Sequence, residues 1–136
     1  MTLVDTPVWS FALRRKAQNL RPAETRLTKY LYQLVDRSET QLLGAVRQEL
    51  LSGLKEESEF QRLRDYLRDF PDVDVITDDY EEAARCSNKC RRVGLAATTV
   101  DMLICAVALR CDWEILTTDL DFARYASVLK ISLTRF

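Results

Sequence analysis

No histidine occurs among the 136 residues. That absence excludes Ser-His-Asp and Cys-His nucleophilic mechanisms, which need an imidazole to take up a proton near neutral pH. It also removes the commonest metal ligand, and the four cysteines do not replace it. Cys86 and Cys90 are four residues apart, on one face of a helix, while Cys105 and Cys111 lie elsewhere. None has the C-x-x-C spacing of a structural zinc site, so reduced, buried thiols are expected. Long apolar runs are missing too: the longest, Met102 to Leu109, is too short to span a bilayer. The first residues show neither the basic leader nor the apolar stretch of a signal peptide, and a cytoplasmic location is expected. A formal net charge of −1 and a pI of about 5.6 leave no global basic field of the kind that marks many nucleic-acid binders. Chemistry in this chain therefore rests on carboxylates, lysines, hydroxyls or a hard metal ion.

What is present is ordinary for a folded domain: 47% hydrophobic and 30% charged residues. The length suits one domain, residues 1–136, with a single sizeable core. Charge is unevenly spread. Arg14, Arg15, Lys16, Arg21, Arg26 and Lys29 face one acid, Glu24, in their stretch, and Arg85, Lys89, Arg91 and Arg92 form a second cationic cluster. Solvated helix faces are the favoured reading of both clusters; a surface turned toward a polyanion is the alternative, with Arg14, Arg15, Lys89, Arg91 and Arg92 as candidate contacts.

The hydropathy pattern alternates short apolar strands with amphipathic helices. Strands are predicted at 2–5, 40–44, 72–77, 114–118 and 128–133. A helix begins near Pro7, a residue suited to a first helical turn. Another, about 22–37, carries Leu27, Tyr30, Leu31, Leu34 and Val35 at helical spacing. Helices follow at 45–54 and 56–69, the latter stopped by Pro71, and then one capped by Asp78 or Asp79 and ended by Gly94. A strongly apolar helix spans 99–110, and a short one starts near 120. Strands separated by helices imply an α/β sandwich of about five parallel strands, covered on both faces. Ligands of such sheets bind beyond the carboxyl ends of the strands.

Acids fall at that edge. Asp5 ends the first predicted strand, Asp119 ends the fourth, and Asp121 follows in the next turn. Asp101 sits in the opening turn of the apolar helix, and Glu49 flanks the apolar stripe of helix 45–54, beside small residues and directed toward a crowded region. Each has a structural explanation: Thr98-x-x-Asp101 is a capping box, Asp119 can cap the last helix, and Asp121 suits its dipole. Five such placements on one rim are harder to dismiss. Two like charges about 4 Å apart repel by roughly 4 kcal/mol at an effective dielectric of ~20. Such groups take up protons or bind a multivalent cation, and all-oxygen ligands suit Mg²⁺ or Mn²⁺ rather than zinc. A hard cation in a carboxylate cup commonly serves phosphodiester hydrolysis.

The segments "LVDTPVW" (3–9), "VRQELLSGL" (46–54), "TTVDMLICAVAL" (98–109) and "ILTTDLDF" (115–122) resemble, in order and spacing, the PIN-domain family, and within it the VapC-type toxin ribonucleases of toxin–antitoxin pairs. The resemblance covers nearly the whole chain. It implies a PIN-like three-layer sandwich and a metal-dependent endoribonuclease cleaving RNA to leave a 5′-phosphate. It also implies homodimers and a cognate antitoxin whose C-terminal segment blocks the cleft. Carried over by position, Asp5, Glu49, Asp101 and Asp119 match the family's acidic quartet, which holds Mg²⁺ or Mn²⁺. Asp121 matches a less uniform acid, and Thr6 and Thr117 match hydroxyls that support the metal and its waters. Pro7 departs from the family, which often has Ser or Asn after "DT"; proline keeps the helix start but removes a hydroxyl and a backbone donor. The competing expectation is a non-catalytic PIN-like module that binds RNA or a partner and uses its acids as caps. A receiver-like phosphoacceptor is disfavoured, because only Lys130, inside the last predicted strand, approaches the lysine such a domain needs.

Overall fold

Strand β1 (Thr2–Val4) is apolar and fully covered, and so are the last two residues of β3 (Glu114–Leu116). Leu3, Val4, Ile115 and Leu116 are all wholly buried, as central strands of a parallel sheet must be when helices cover both faces. The computed structural model, which describes residues 1–136, places β2 (Thr40–Gln41) and β4 (Ser132–Leu133) at the edges. The order is β2-β1-β3-β4, and every pairing is parallel.

That order decides where the helices lie. The chain leaves β1 toward β2 in one direction, then passes from β2 to β3 and from β3 to β4 in the other. Right-handed crossovers consequently put α1 (Thr6–Leu13) and α2 (Pro22–Asp36) on one face. They put α5 (Thr77–Arg92), α6 (Thr99–Cys111) and α7 (Asp121–Ala126) on the other. Two helices, α3 (Gly44–Leu51) and α4 (Glu57–Leu67), follow β2; α3 packs on α1 and α4 on α3. The reversal of direction falls between β1 and β3, which is the crevice where open α/β sheets bind ligands.

The core joins both layers: Trp9 of α1 meets Phe70 edge-on at 5.0 Å, while Phe122 and Tyr125 of α7 make a second T-shaped pair at 5.3 Å. All four cysteines are unpaired, and Cys86, Cys90 and Cys105 are buried. Burial pushes the Cys86 thiol up to about 11, so it stays protonated and inert. No helix is long and apolar enough to cross a membrane.

The sheet has four strands where the sequence predicts about five. The alternating "DVDVIT" segment, 72–77, runs beside the end of β2 but contributes only one parallel bridge, Leu42 to Asp72. Side chains anchor the segment and the chain just before it. Arg47 of α3 binds the Asp72 carboxylate at 2.7 Å, the Leu67 carbonyl at 2.9 Å, and the Phe70 carbonyl. Arg110 of α6 takes the Asp74 carbonyl at 2.9 Å. The Asp74 carbonyl, taken by Arg110, is a backbone acceptor that a longer ladder would have used. β4 is likewise shorter than 128–133, because residues 127–129 turn tightly after α7.

The α5 start also differs from the capping expected of Asp78 or Asp79. The helix begins at Thr77, and Asp79 reaches back from its first turn to accept the Ile76 N–H at 3.0 Å. The same buried carboxylate takes Arg110 Nε at 2.7 Å and a second guanidinium nitrogen at 2.9 Å, tying the start of α5 to the end of α6. The connection at the other end is closed by Gly94, whose φ of +79° only glycine adopts without strain.

Candidate functional site

Asp5 leaves β1 at the crevice. Its backbone N–H continues the ladder to the Leu116 carbonyl at 2.9 Å, and its side chain caps α1, with Oδ1 accepting the Thr6 N–H at 2.8 Å. The helix therefore starts as soon as the strand stops, with Pro7 in its first turn, where a missing N–H costs little. Oδ2 accepts the hydroxyl of Thr117, the residue after β3, at 2.7 Å. The ends of two adjacent strands are thus joined through Asp5 and Thr117. The Thr117 hydroxyl also accepts the Asp119 N–H at 3.0 Å, and Asp119 Oδ1 accepts the Asp121 N–H at 2.9 Å. Asp119 caps the start of α7 in this way, with Leu120 at the N-cap position itself.

Asp101 approaches from α6. Thr98 caps that helix by accepting the Asp101 N–H at 3.1 Å, but Asp101 does not complete the expected box; its Oδ2 accepts the hydroxyl of Tyr125 at 3.0 Å. Glu49, on α3, is the outermost acid. It is exposed, which corrects the expectation of a crowded setting.

The charges of these groups act on one another. Burial, chiefly, raises Asp5 from 3.8 to about 6; the Thr117 and Thr6 hydrogen bonds pull it back, and the charges of Asp101 and Asp119 add to the rise. Asp101 is also raised, first by burial and then by Asp119 and Asp121, against hydrogen bonds from Tyr125 and Thr98. Glu49 is raised by partial desolvation and by the Asp101 charge, with the Thr6 hydroxyl opposing. All five acids singled out in the sequence thus share one electrostatic neighbourhood, with Asp101 at its hub. As the side chains stand, no three of them meet closely enough to enclose an ion.

The donor set nevertheless suits a hard divalent cation. It is entirely oxygen, it repels itself, and beside it the Thr6 hydroxyl is buried without a hydrogen-bond partner of good geometry. One cation is already at the rim: Arg124 of α7 pairs with Asp121 at 3.0 Å, both largely exposed. Sequence reasoning missed Arg124 and Tyr125. The i,i+3 spacing of Asp121 and Arg124 could have signalled the first, whereas nothing local links Tyr125 to Asp101.

The basic candidates divide. Because α5 and α6 run antiparallel through the Gly94 turn, Lys89, Arg91 and Arg92 stand at the same end of the pair as Asp101. Arg14 and Arg15 lie beyond the far end of α1, about 12 Å along the helix from Thr6 at ~1.5 Å per residue. Arg15 is partly engaged there, 4.0 Å from Glu24 and 4.7 Å above the Phe11 ring. A recess of about 750 Å³ between α5, α6 and residues 128–130 includes none of the five acids of the cluster. Its charges are of both signs and partly paired, as in Arg110 with Asp79 and Arg85 with Glu82.

Residues 2–128 match the sequence profile of the PIN domain. The chain belongs to the PIN-domain family. No curated protein matches this PIN domain in sequence. Among solved structures it is similar to FitAcB from Neisseria gonorrhoeae, with a TM-score of 0.77 and 19% identity over 99% of this chain and 97% of that one. It is also similar to VapBC2 from Rickettsia felis bound to a promoter DNA fragment, with a TM-score of 0.73 and 16% identity over 99% and 98%. A toxin–antitoxin complex from Klebsiella pneumoniae gives 0.64 and 18% over 90% and 91%. At these identities the likeness is one of fold.

Proposed function

We propose that this PIN domain is a Mg²⁺- or Mn²⁺-dependent endoribonuclease, the toxin of a toxin–antitoxin pair. In this reading it acts in the cytoplasm as a homodimer and is restrained by a cognate antitoxin. The observation that carries the reading is the meeting of Asp5 and Thr117 at the β1–β3 crevice, within one electrostatic cluster of five acids. The similar structures support it through their partners: one is a toxin–antitoxin complex.

Asp5, Glu49, Asp101 and Asp119 would hold the cation, with Asp121 beside them. When bound, the ion supplies an activated water and charge stabilisation at the phosphodiester. The chain's own groups do the rest. Thr117 fixes Asp5 through Oδ2 and Asp119 through its backbone, so neither acid turns independently. Glu49, exposed and with a raised pKa, is the carboxylate best able to exchange a proton with solvent. Lys89, Arg91 and Arg92 attract the phosphate backbone to the end of α6 that carries Asp101, and their contribution weakens as salt rises.

The test is cleavage of single-stranded RNA by the purified protein in Mg²⁺ or Mn²⁺. Cleavage leaves 5′-phosphate ends and is lost with chelator and in Asp5→Asn or Asp101→Asn, while the fold is retained by circular dichroism. Cleavage persisting in both variants removes those roles. One observation favours a second reading, a non-catalytic module binding RNA or a partner: no three acids enclose an ion as they stand. A chain whose melting temperature ignores millimolar Mg²⁺ and Mn²⁺ would support that module, since a ligand bound only by the native state must stabilise it.

A further inference from the structure

Tyr125 is 1% exposed and lies against Phe122, and packing alone asks only for its ring. A buried hydroxyl without a partner costs stability, so a tyrosine here must use its oxygen. Two acceptors are in reach: Asp101 Oδ2 at 3.0 Å and the Ala96 carbonyl at 3.3 Å. A phenol has one O–H to give. The carboxylate is the shorter contact and, when ionised, the stronger acceptor, so the proton goes to Asp101. The Ala96 carbonyl is the reserve partner, which keeps the hydroxyl satisfied if Asp101 turns.

Asp101 is therefore held at two points. Its backbone is fixed by the Thr98 cap and its Oδ2 by Tyr125, so the carboxylate meets the cluster in a set orientation. The Asp101 charge acts on Asp5 and Glu49, so its orientation bears on the whole cluster. We propose that Tyr125 is a positioning residue: its hydroxyl bond to Asp101 Oδ2 orients that carboxylate for divalent-cation binding and links α7 to the acidic cluster. The proposal rests on the metal reading of these acids.

The test is Tyr125→Phe, which keeps the ring and removes the hydroxyl. Mn²⁺ affinity, followed by the electron paramagnetic resonance signal of free Mn²⁺, falls about tenfold to a hundredfold, the usual effect of losing a hydrogen bond behind a ligand. The metal-free variant lacks one buried hydrogen bond and melts a few degrees lower. A merely structural role for Tyr125 would give that same shift and leave the affinity alone. Equal Mn²⁺ affinity in parent and variant overturns the proposal while the metal reading stands. A parent chain that binds no Mn²⁺ overturns both. Should Tyr125→Phe not fold, the parent carries the test. With tyrosine labelled at ¹³Cζ, the Tyr125 resonance moves on Mg²⁺ addition as Asp101 changes its bonding. A resonance unmoved at saturating Mg²⁺ overturns the proposal.

Discussion

Replacing Asp5 by Asn in the metal-free chain should leave stability nearly unchanged in acid and raise it above the parent's as pH rises. Asp5 ionises near 3.8 in the unfolded chain and at about 6 when folded, mainly because burial disfavours its charge. Between those values the folded state binds the extra proton, so the parent loses stability as pH rises through the window and stays lowered above it. A pKa of about 6 against 3.8 corresponds to about 3 kcal/mol, at ~1.36 kcal/mol per pH unit. Asparagine carries no charge to bury. Its amide, with one carbonyl acceptor, resembles the neutral acid that the folded parent carries at low pH, and the carboxylate's extra acceptor is already counted in the shift. Asp5→Asn is then close to the parent in stability near pH 3 and about 3 kcal/mol more stable at pH 7.5. Urea unfolding with chelator, followed by circular dichroism across that range, measures the difference and cancels the other acids. Adding Mg²⁺ at pH 7.5 should restore the parent and leave the variant unmoved. A difference that is flat with pH, or that favours the parent as pH rises, refutes the reasoning.

Other outcomes follow from the same geometry. Asp79→Ala removes the cap on Ile76 and both Arg110 contacts, and should cost about 2 to 4 kcal/mol in urea unfolding at pH 7. Burial would raise the Asp79 pKa, but Arg110 and the Ile76 N–H outweigh it and hold the group low. Its contribution is present at neutral pH and lost as pH falls below the carboxylate range, so the variant's penalty should shrink in acid. Thr117→Val keeps the shape but frees Asp5 Oδ2 and the Asp119 N–H; RNA cleavage should fall about tenfold to a hundredfold with at most about 1 kcal/mol of lost stability. Reversing Lys89, Arg91 and Arg92 to Glu should flatten the salt dependence of RNA binding by up to about 2 in log–log slope, at ~0.7 per phosphate contact on a single strand. An unchanged slope removes that surface from RNA binding.

The elements legible in the sequence are those with a local cause. The helical spacing of Leu27, Leu31 and Leu34 marks α2, Pro7 marks the start of α1, and Gly94 marks the end of α5. In each case the residue acts through its own backbone or on neighbours within two turns. The segment 72–77 shows where this fails. Its alternation is that of a strand, yet Arg47 and Arg110, distant in sequence, satisfy its surroundings and leave one bridge. Glu49 fails in the same way, since its flanking small residues say nothing about which partner is absent on that side.

The sequence by itself determined the alternation of strand and helix and, through the missing histidine, that any chemistry rests on carboxylates, hydroxyls, lysines or a hard metal ion. It also put acids at the ends of strands, because a strand that ends in a helix start needs a capping side chain there. Only the tertiary structure decided that β1 and β3 are neighbours at the point where the winding reverses, which is what joins Asp5 to Thr117 across more than a hundred residues. It alone brought Tyr125 to Asp101 and set the pKa of Asp5. Burial and the field of distant charges are sums over the packed whole, and a local stretch of sequence contains no part of that sum.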